Sequence, residues 1–483
     1  MKTNKLLKIL SLSFCTLAFI NCSDKEDPTD SPSPDDVNDT YINPTAPQGS
    51  ITVEAVKSNA TPFLGAGYDI MGEYISNLSV KAPVLDLNKI GEGRITIFNG
   101  SSSEGERCAG RDIKEFLQSF NEFKEFVVPT ENRGDLLFPA TITNYACFKE
   151  RYEHSSQYTF IFETSGANIS IQKINRVVPK WDSWLTDDFR EALIEYSPDE
   201  VIQEYGTHIL VDINLGYAIK TLYRSVVADS ESELIRTAIT GLGARKDMVY
   251  KFPNVSITYP EETVKKNYGG TIAVSLQGGD YKKMPPLQLT PDRKEVVGDP
   301  MNVTSWAKTC DENTYALTTL TGKSMIPIYD VITDAEKKKQ LKDAVIKYIK
   351  AHQPAMQQTA PIFQATDGKG YRYYTSYSKL AENTEACQGV IASVFVFQGA
   401  ETVPLYLSSS RNSDRLSLDN SQEGNSSIIG YVYEKQSETS GALERIYELS
   451  DGKSFAYTRE QKESYGEKGS WKLTGKYFYT KKV

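Results

Sequence analysis

Three histidines, at 154, 208 and 352, are all the imidazole in this 483-residue chain. Acid–base or metal chemistry built on paired histidines has little material here. His208 closes the tetrapeptide Tyr205-Gly206-Thr207-His208. Neither a Gly-x-Ser-x-Gly nucleophile nor a paired-acid motif accompanies it, so covalent and acid–base catalysis lack their partners. The glycines of Leu64-Gly65-Ala66-Gly67 suggest a phosphate loop, but no Gly-x-x-x-x-Gly-Lys-Ser/Thr follows. No Cys-x-x-Cys spacing offers a metal site. The sequence therefore assigns no catalytic residue, no metal and no cofactor, and predicts a protein that is not an enzyme.

The cysteines carry chemistry of another kind. Lys2, Lys5 and Lys8 precede an apolar run from Ile9 to Ile20, the layout of a secretory signal. The run is shorter than the ~20 residues of a spanning helix. It ends in Leu17-Ala18-Phe19-Ile20-Asn21-Cys22, which resembles a bacterial lipobox with Cys22 as the acylated new N-terminus. Residues 1–21 read as a lipoprotein signal peptide. Residues 22–49 follow as an acidic Pro/Ser-rich tether, with seven acids before Tyr41 and no period. This predicts an outer-membrane lipoprotein at the cell surface, with the option of release. Cys108, Cys147, Cys310 and Cys387 remain, an even number whose pairing the sequence leaves open.

Composition narrows the partners. Loss of the three signal lysines takes the net charge from −9 to −12. An acidic body argues against nucleic acid, which needs a basic face. Twenty-nine Tyr, 19 Phe and 4 Trp exclude a disordered acidic chain.

The elements that position these residues alternate between the two periods. Ile51–Val56 and residues 157–174 alternate as strands. Within 104–126, Ile113, Phe116, Leu117, Phe120 and Phe123 fall at helical spacing. Ser197-Pro198-Asp199-Glu200 starts a helix as a capping box with Pro at its first position. That helix ends at Gly206, a residue suited to a helix cap. Ile209 to Ile219 then reads as one long strand.

Tyr205-Gly206-Thr207-His208-Ile209, followed by six residues and Gly216, resembles the signature of the membrane attack complex/perforin (MACPF) family. Leu64-Gly65-Ala66-Gly67-Tyr68-Asp69 is similar to the family's first-strand region. Tyr268-Gly269-Gly270 and Gln277-Gly278-Gly279-Asp280 are similar to its later glycine pairs. Ile326-Pro327-Ile328-Tyr329, leading to Leu341, Val345, Tyr348 and Ile349, is similar to its closing helix. The resemblance covers residues 50–352 and is to bacterial MACPF lipoproteins of the secreted antimicrobial type. It implies an α+β fold, a bent four-stranded antiparallel sheet carrying two helical clusters. In pore-forming members each cluster unfurls into a membrane hairpin after ring assembly. By chain order the clusters lie at about 104–155 and 225–268. In this reading Tyr205, Gly206, Thr207, His208 and Gly216 are structural, and Gly269, Gly270, Gly278 and Gly279 mark bends. Thr141 to Phe148 alternates partly, and Val255 to Tyr259 alternates cleanly, as a membrane strand would.

Residues 353–483 change character to short Tyr-rich strands and polar turns. Phe363, Tyr406 and Tyr447 open three units 43 and 41 residues apart. Each unit closes on an aromatic strand: Phe395-Val396-Phe397, Tyr431-Val432-Tyr433 and Tyr477-Phe478-Tyr479. This predicts an all-β domain with a trefoil-like threefold repeat. The turn residues Asp367, Lys369, Tyr371, Asp451, Lys453 and Phe455 are candidates for binding a glycan or an outer-membrane surface receptor. The expected function is a pore-forming antibacterial toxin whose partners are its own copies, a target bilayer and that receptor. The alternative is a non-lytic adhesin or glycan-binding protein on the same scaffold.

Overall fold

The computed structural model describes residues 51–56, 63–124, 155–176, 180–252, 256–280, 288–289, 296–354, 356–383, 385–420, 426–436, 443–461 and 470–481. The signal, Cys22 and the tether lie outside the described residues, as do Cys147, His154, Val255 and the 141–148 stretch.

Five strands form the central sheet: β1 (Ile51–Val56), β2 (Ile95–Gly110), β3 (Thr159–Ile174), β4 (Asp212–Val227) and β5 (Asn267–Gln277). Their spatial order is β1-β5-β4-β3-β2. The four strands from β2 to β5 pair antiparallel, while β1 joins β5 in parallel. A short strand, Ala316–Thr319, pairs with β4 at residues 214–216. The expected four-stranded antiparallel sheet is therefore present.

Helices cover both faces of the sheet toward Cys108–Gly110 and the start of β3, whereas β2 is exposed over residues 96–103. Helix α1 (Ile113–Lys124) packs on one face, with Phe116, Leu117 and Phe120 buried beside Phe160 and Phe162. Phe120 meets Phe162 edge-on at 5.6 Å and Tyr74 at 5.2 Å. Helix α2 (Pro198–Tyr205) starts at the expected capping box, the Ser197 N–H donating to Glu200 Oε2 at 2.8 Å. Helix α3 (Leu234–Val249) covers the opposite face, with Ala238, Leu242 and Val249 packed among Ile161, Ile219, Tyr223 and Ile272. Helix α4 (Ala335–Ala351) buries Leu341, Val345 and Ile349.

Two expected elements differ. Residues 104–110 belong to β2, because they pair with β3 from Glu104 opposite Gly166 to Gly110 opposite Phe160. The stretch 209–219 is not one strand. His208–Leu210 lies in a small sheet with Ala66–Tyr68, Val80–Pro83 and Met325–Pro327, and Asp212 starts β4. Val211 is the crossover: its N–H bonds Ser324 O, and its carbonyl accepts from Ile174 N.

The C-terminal region is all β. Its nine strands form three units of two long strands around a short one: 359–366, 371–374 and 386–395; 402–409, 414–417 and 426–433; 443–450, 455–458 and 472–481. The closing strands meet one another, Phe395 opposite Tyr431 and Tyr433 opposite Tyr479. Thr480 Oγ1 bonds the Ser393 carbonyl and completes the ring of contacts. The interior holds Ile362, Val394, Leu405, Val432, Ile446 and Phe478.

Candidate functional site

Residues 111–158 are inserted between β2 and β3, and residues 228–266 between β4 and β5. The second insertion is tied to the sheet by polar groups as well as by the apolar face of α3. Glu163 of β3 is buried and receives Lys246 of α3 at 2.9 Å and Arg107 of β2. Burial alone would raise the Glu163 pKa, yet the two cations outweigh it and hold the carboxyl below its usual range. Arg245 donates to the Gly270 carbonyl at 3.1 and 3.3 Å. Asn267 is a junction: its amide donates to Thr237 O and Thr263 O, and its oxygen accepts from Tyr223 and Ser225. Asp229 receives Lys266 at 3.0 Å and the Thr237 hydroxyl at 2.8 Å.

One glycine of α3 faces the sheet and another faces the 256–260 segment of the same insertion. A Cβ at Gly241 would lie 2.5 Å from Asn267 Cγ and from the Tyr223 hydroxyl. A Cβ at Gly243 would enter the Tyr259 ring. Tyr259 is thus packed against a helix, and residues 256–260 form no strand in this state. The first insertion has a buried ionic tie of its own, Lys124 Nζ on Glu106. Nothing in the hydropathy pattern marked Glu163, Glu106 or Asn267. Their partners come from elements distant in sequence.

The signature tetrapeptide lies at a crowded corner. Tyr205 ends α2, and Gly206 takes φ +77° and ψ −162°. Thr207 is fully buried; its N–H and hydroxyl donate to Tyr68 O at 3.0 and 3.2 Å, and its Oγ1 accepts from Ile70 N at 3.0 Å. His208 is buried with Nδ1 2.9 Å from Thr207 Oγ1. The corner holds the small sheet to α2 and presents no open cleft around the imidazole. Gly216 faces the register shift at Asn168–Ser170 of β3, where a Cβ would strike the Ala167 carbonyl. Gly278 sits beside it with φ +79°, and Gly279 follows at +72° against Trp306 and Thr309. Gly269 has φ +61°, and a Cβ at Gly270 would meet the Tyr223 hydroxyl at 2.6 Å. The shift lies beside Gly216 and Gly278, at the opposite end of β5 from Gly269 and Gly270.

The C-terminal turn candidates separate. Asp367 accepts the Lys369 N–H at 2.9 Å, and Asp451 accepts those of Lys453 and Ser454 at 2.8 and 2.7 Å. Both carboxylates stabilise their own turns, around Gly368 and Gly452. The aromatic candidates need correction. Tyr371 is only 2% exposed and packs on Trp471, so it offers no face to a sugar. The Arg415 guanidinium covers Phe455 at 4.1 Å. Asp367, Lys369, Asp451 and Lys453 are the candidates exposed on their turns.

Cys108, Cys310 and Cys387 are free thiols. Among the described residues no helix is long and apolar enough to cross a membrane, which says nothing of strands.

Residues 57–358 match the model of the MAC/Perforin domain family. No curated protein matches the sequence. Among solved structures, the chain is similar to a candidate cell invasion protein with a MAC/Perforin domain from Bacteroides thetaiotaomicron, at 14% identity and TM-score 0.45 over 69% of this chain and 71% of that one. It is also similar to GNIP1Aa from Chromobacterium piscinae, at 15% identity and TM-score 0.45 over 83% and 91% of the two chains.

Proposed function

Because this chain belongs to the MAC/Perforin domain family, we propose that it is a pore-forming protein that works by changing shape and catalyses no reaction. Copies assemble on a target bilayer, and the inserted segments 111–158 and 228–266 unfurl into hairpins that extend β2, β3, β4 and β5. The observation that carries the reading is the placement of both insertions. Each leaves one central strand and re-enters at its antiparallel neighbour, so straightening it lengthens two adjacent strands without changing their pairing. A closed barrel pairs every backbone group within lipid, which supplies the driving force. In the same reading, Cys22 carries a lipid, residues 22–49 tether the body to the surface, and 353–483 select the target, a competing bacterium.

A reversible lock tests hairpin release. The Gly241→Cys, Asn267→Cys pair places two thiols where a Cβ at 241 would nearly touch the 267 side chain. Oxidised protein should neither kill susceptible Gram-negative bacteria nor leave rings on their membranes, and a reductant should restore both. Equal killing by the oxidised and reduced forms sinks the proposal.

A further inference from the structure

The first insertion returns to the sheet through Ser155, Ser156 and Gln157, and the second through Lys266, Asn267 and Tyr268. The C-terminal domain grips both returns. Ser155 forms a parallel bridge with Gln357, and the Ser156 N–H donates to Gln357 O at 3.0 Å. Ser156 Oγ donates to Thr359 O at 2.9 Å and accepts Thr359 N at 3.1 Å. Ser155 and Thr359 bond through their hydroxyls. Ser393, on a closing strand, donates to Gln157 Oε1 at 2.8 Å. At the other return, Tyr268 lies beside Cys387. Tyr268, Tyr377 and Cys387 pack against one core cluster, and that cluster runs from the central sheet into Phe363, Ala365, Leu380 and Val390.

These contacts occupy backbone that a longer β3 would need. Continuing the register in which Phe160 faces Gly110 and Arg224 would bring Ser155 opposite Glu115 and Asp229. Ser155 is instead paired to Gln357, and Asp229 to Lys266. β3 therefore cannot lengthen, and an extended β4 cannot pair with it, while the C-terminal domain remains in place; β4 and β5 already pair one step beyond their ends, the Ala228 N–H donating to Lys266 O at 2.9 Å.

We propose that the C-terminal β-domain is an autoinhibitory latch on both insertions, and that its displacement at the target surface frees them. The latch rests on the pore-forming reading for its purpose, though not for its existence. It makes target selection and hairpin release one event: a force or ligand that shifts the domain removes both restraints together.

The test uses the full mature chain. A Ser155→Cys, Thr359→Cys pair, oxidised, should slow dye release from vesicles of the outer membrane of a susceptible Gram-negative bacterium at least ~50-fold, with recovery on reduction. Separately, Ser156→Ala with Gln157→Ala removes three hydrogen bonds. It should speed amide exchange in residues 113–124 by about 10-fold or more and leave 198–205 unchanged. Equal dye release by oxidised and reduced protein overturns the latch, and so does unaltered exchange in the double variant. If no form releases dye, the pore-forming reading fails, and the exchange experiment alone decides the latch.

Discussion

Substituting Gly206 by alanine isolates what the signature corner demands of its backbone. At φ +77° and ψ −162°, Gly206 occupies a region that side-chain-bearing residues enter only at ~1–3 kcal/mol. The new Cβ would also lie 2.7 Å from the carbonyl carbon and oxygen of Tyr68 and 3.0 Å from Asp69 N. Those atoms belong to backbone that cannot yield freely, because Tyr68 O accepts both donors of Thr207. Relief of the overlap costs another ~1–3 kcal/mol as overpacking. If it displaces one of the Thr207 bonds, about 1 kcal/mol more is lost. The sum for Gly206→Ala is about 2–6 kcal/mol, or ~3–7 kcal/mol with that bond lost. Gly91 supplies the control: its φ is +82° and ψ 149°, yet nothing lies within 4 Å of the position a Cβ there would take. Gly91→Ala therefore carries the backbone strain without the collision, ~1–3 kcal/mol. Urea unfolding followed by tryptophan fluorescence should separate the variants by about 2 kcal/mol at unchanged m value. If Gly206→Ala costs no more than Gly91→Ala, the Tyr68 carbonyl moves aside freely and the corner is not the rigid joint described above.

Glu163→Gln should loosen α3 specifically. Breaking a buried pair costs ~3–5 kcal/mol, and the partial exposure of Lys246 and Arg107 reduces this to about 1–3 kcal/mol; exchange of α3 amides reads the effect. The pH dependence follows from the depressed Glu163 pKa. Its contribution is fully present above the unfolded carboxyl's ~4.3 and is lost as pH falls through the lower folded value. Exchange of α3 should thus be insensitive to this group from pH 5 to 8 and should quicken below about 4. Glu163→Gln should abolish that acid step.

The fold was legible where local rules and period agreed. The capping box at Ser197, the helix containing Phe116 and Phe120, and the threefold spacing of Phe363, Tyr406 and Tyr447 all reappear in space. What failed was tertiary. The alternation from Ile209 to Ile219 is real, but Val211 changes sheets within it, and period cannot show which partner a strand takes. Tyr371 occupies a turn-flanking position that suggested access, whereas its ring faces Trp471. The polar ties of the insertions were invisible because each joins residues tens of positions apart, such as Glu163 and Lys246.

Those ties imply an order of release. Helix α1 buries Phe116, Leu117 and Phe120 in the main core, and each such side chain contributes ~1.5–3 kcal/mol. Helix α3 offers less: Ala238, Leu242 and Val249 on its buried face, with Gly241 and Gly243 within it. Each glycine weakens a helix by ~1 kcal/mol relative to alanine. Its attachment depends on directional bonds through Glu163, Arg245 and Asn267, which a displacement of an ångström or two breaks together. Apolar contact fades gradually over the same distance. A segment held in this way stays docked until pulled and then lets go at once, so the 228–266 insertion should leave the sheet before the α1 segment. Native-state amide exchange measures this directly: α3 should open at a lower free energy than α1, with protection smaller by about 10-fold or more for a difference of ~1.4 kcal/mol. Equal protection of the two helices would mean that the glycines and polar ties cost α3 nothing, and release would then have to begin elsewhere.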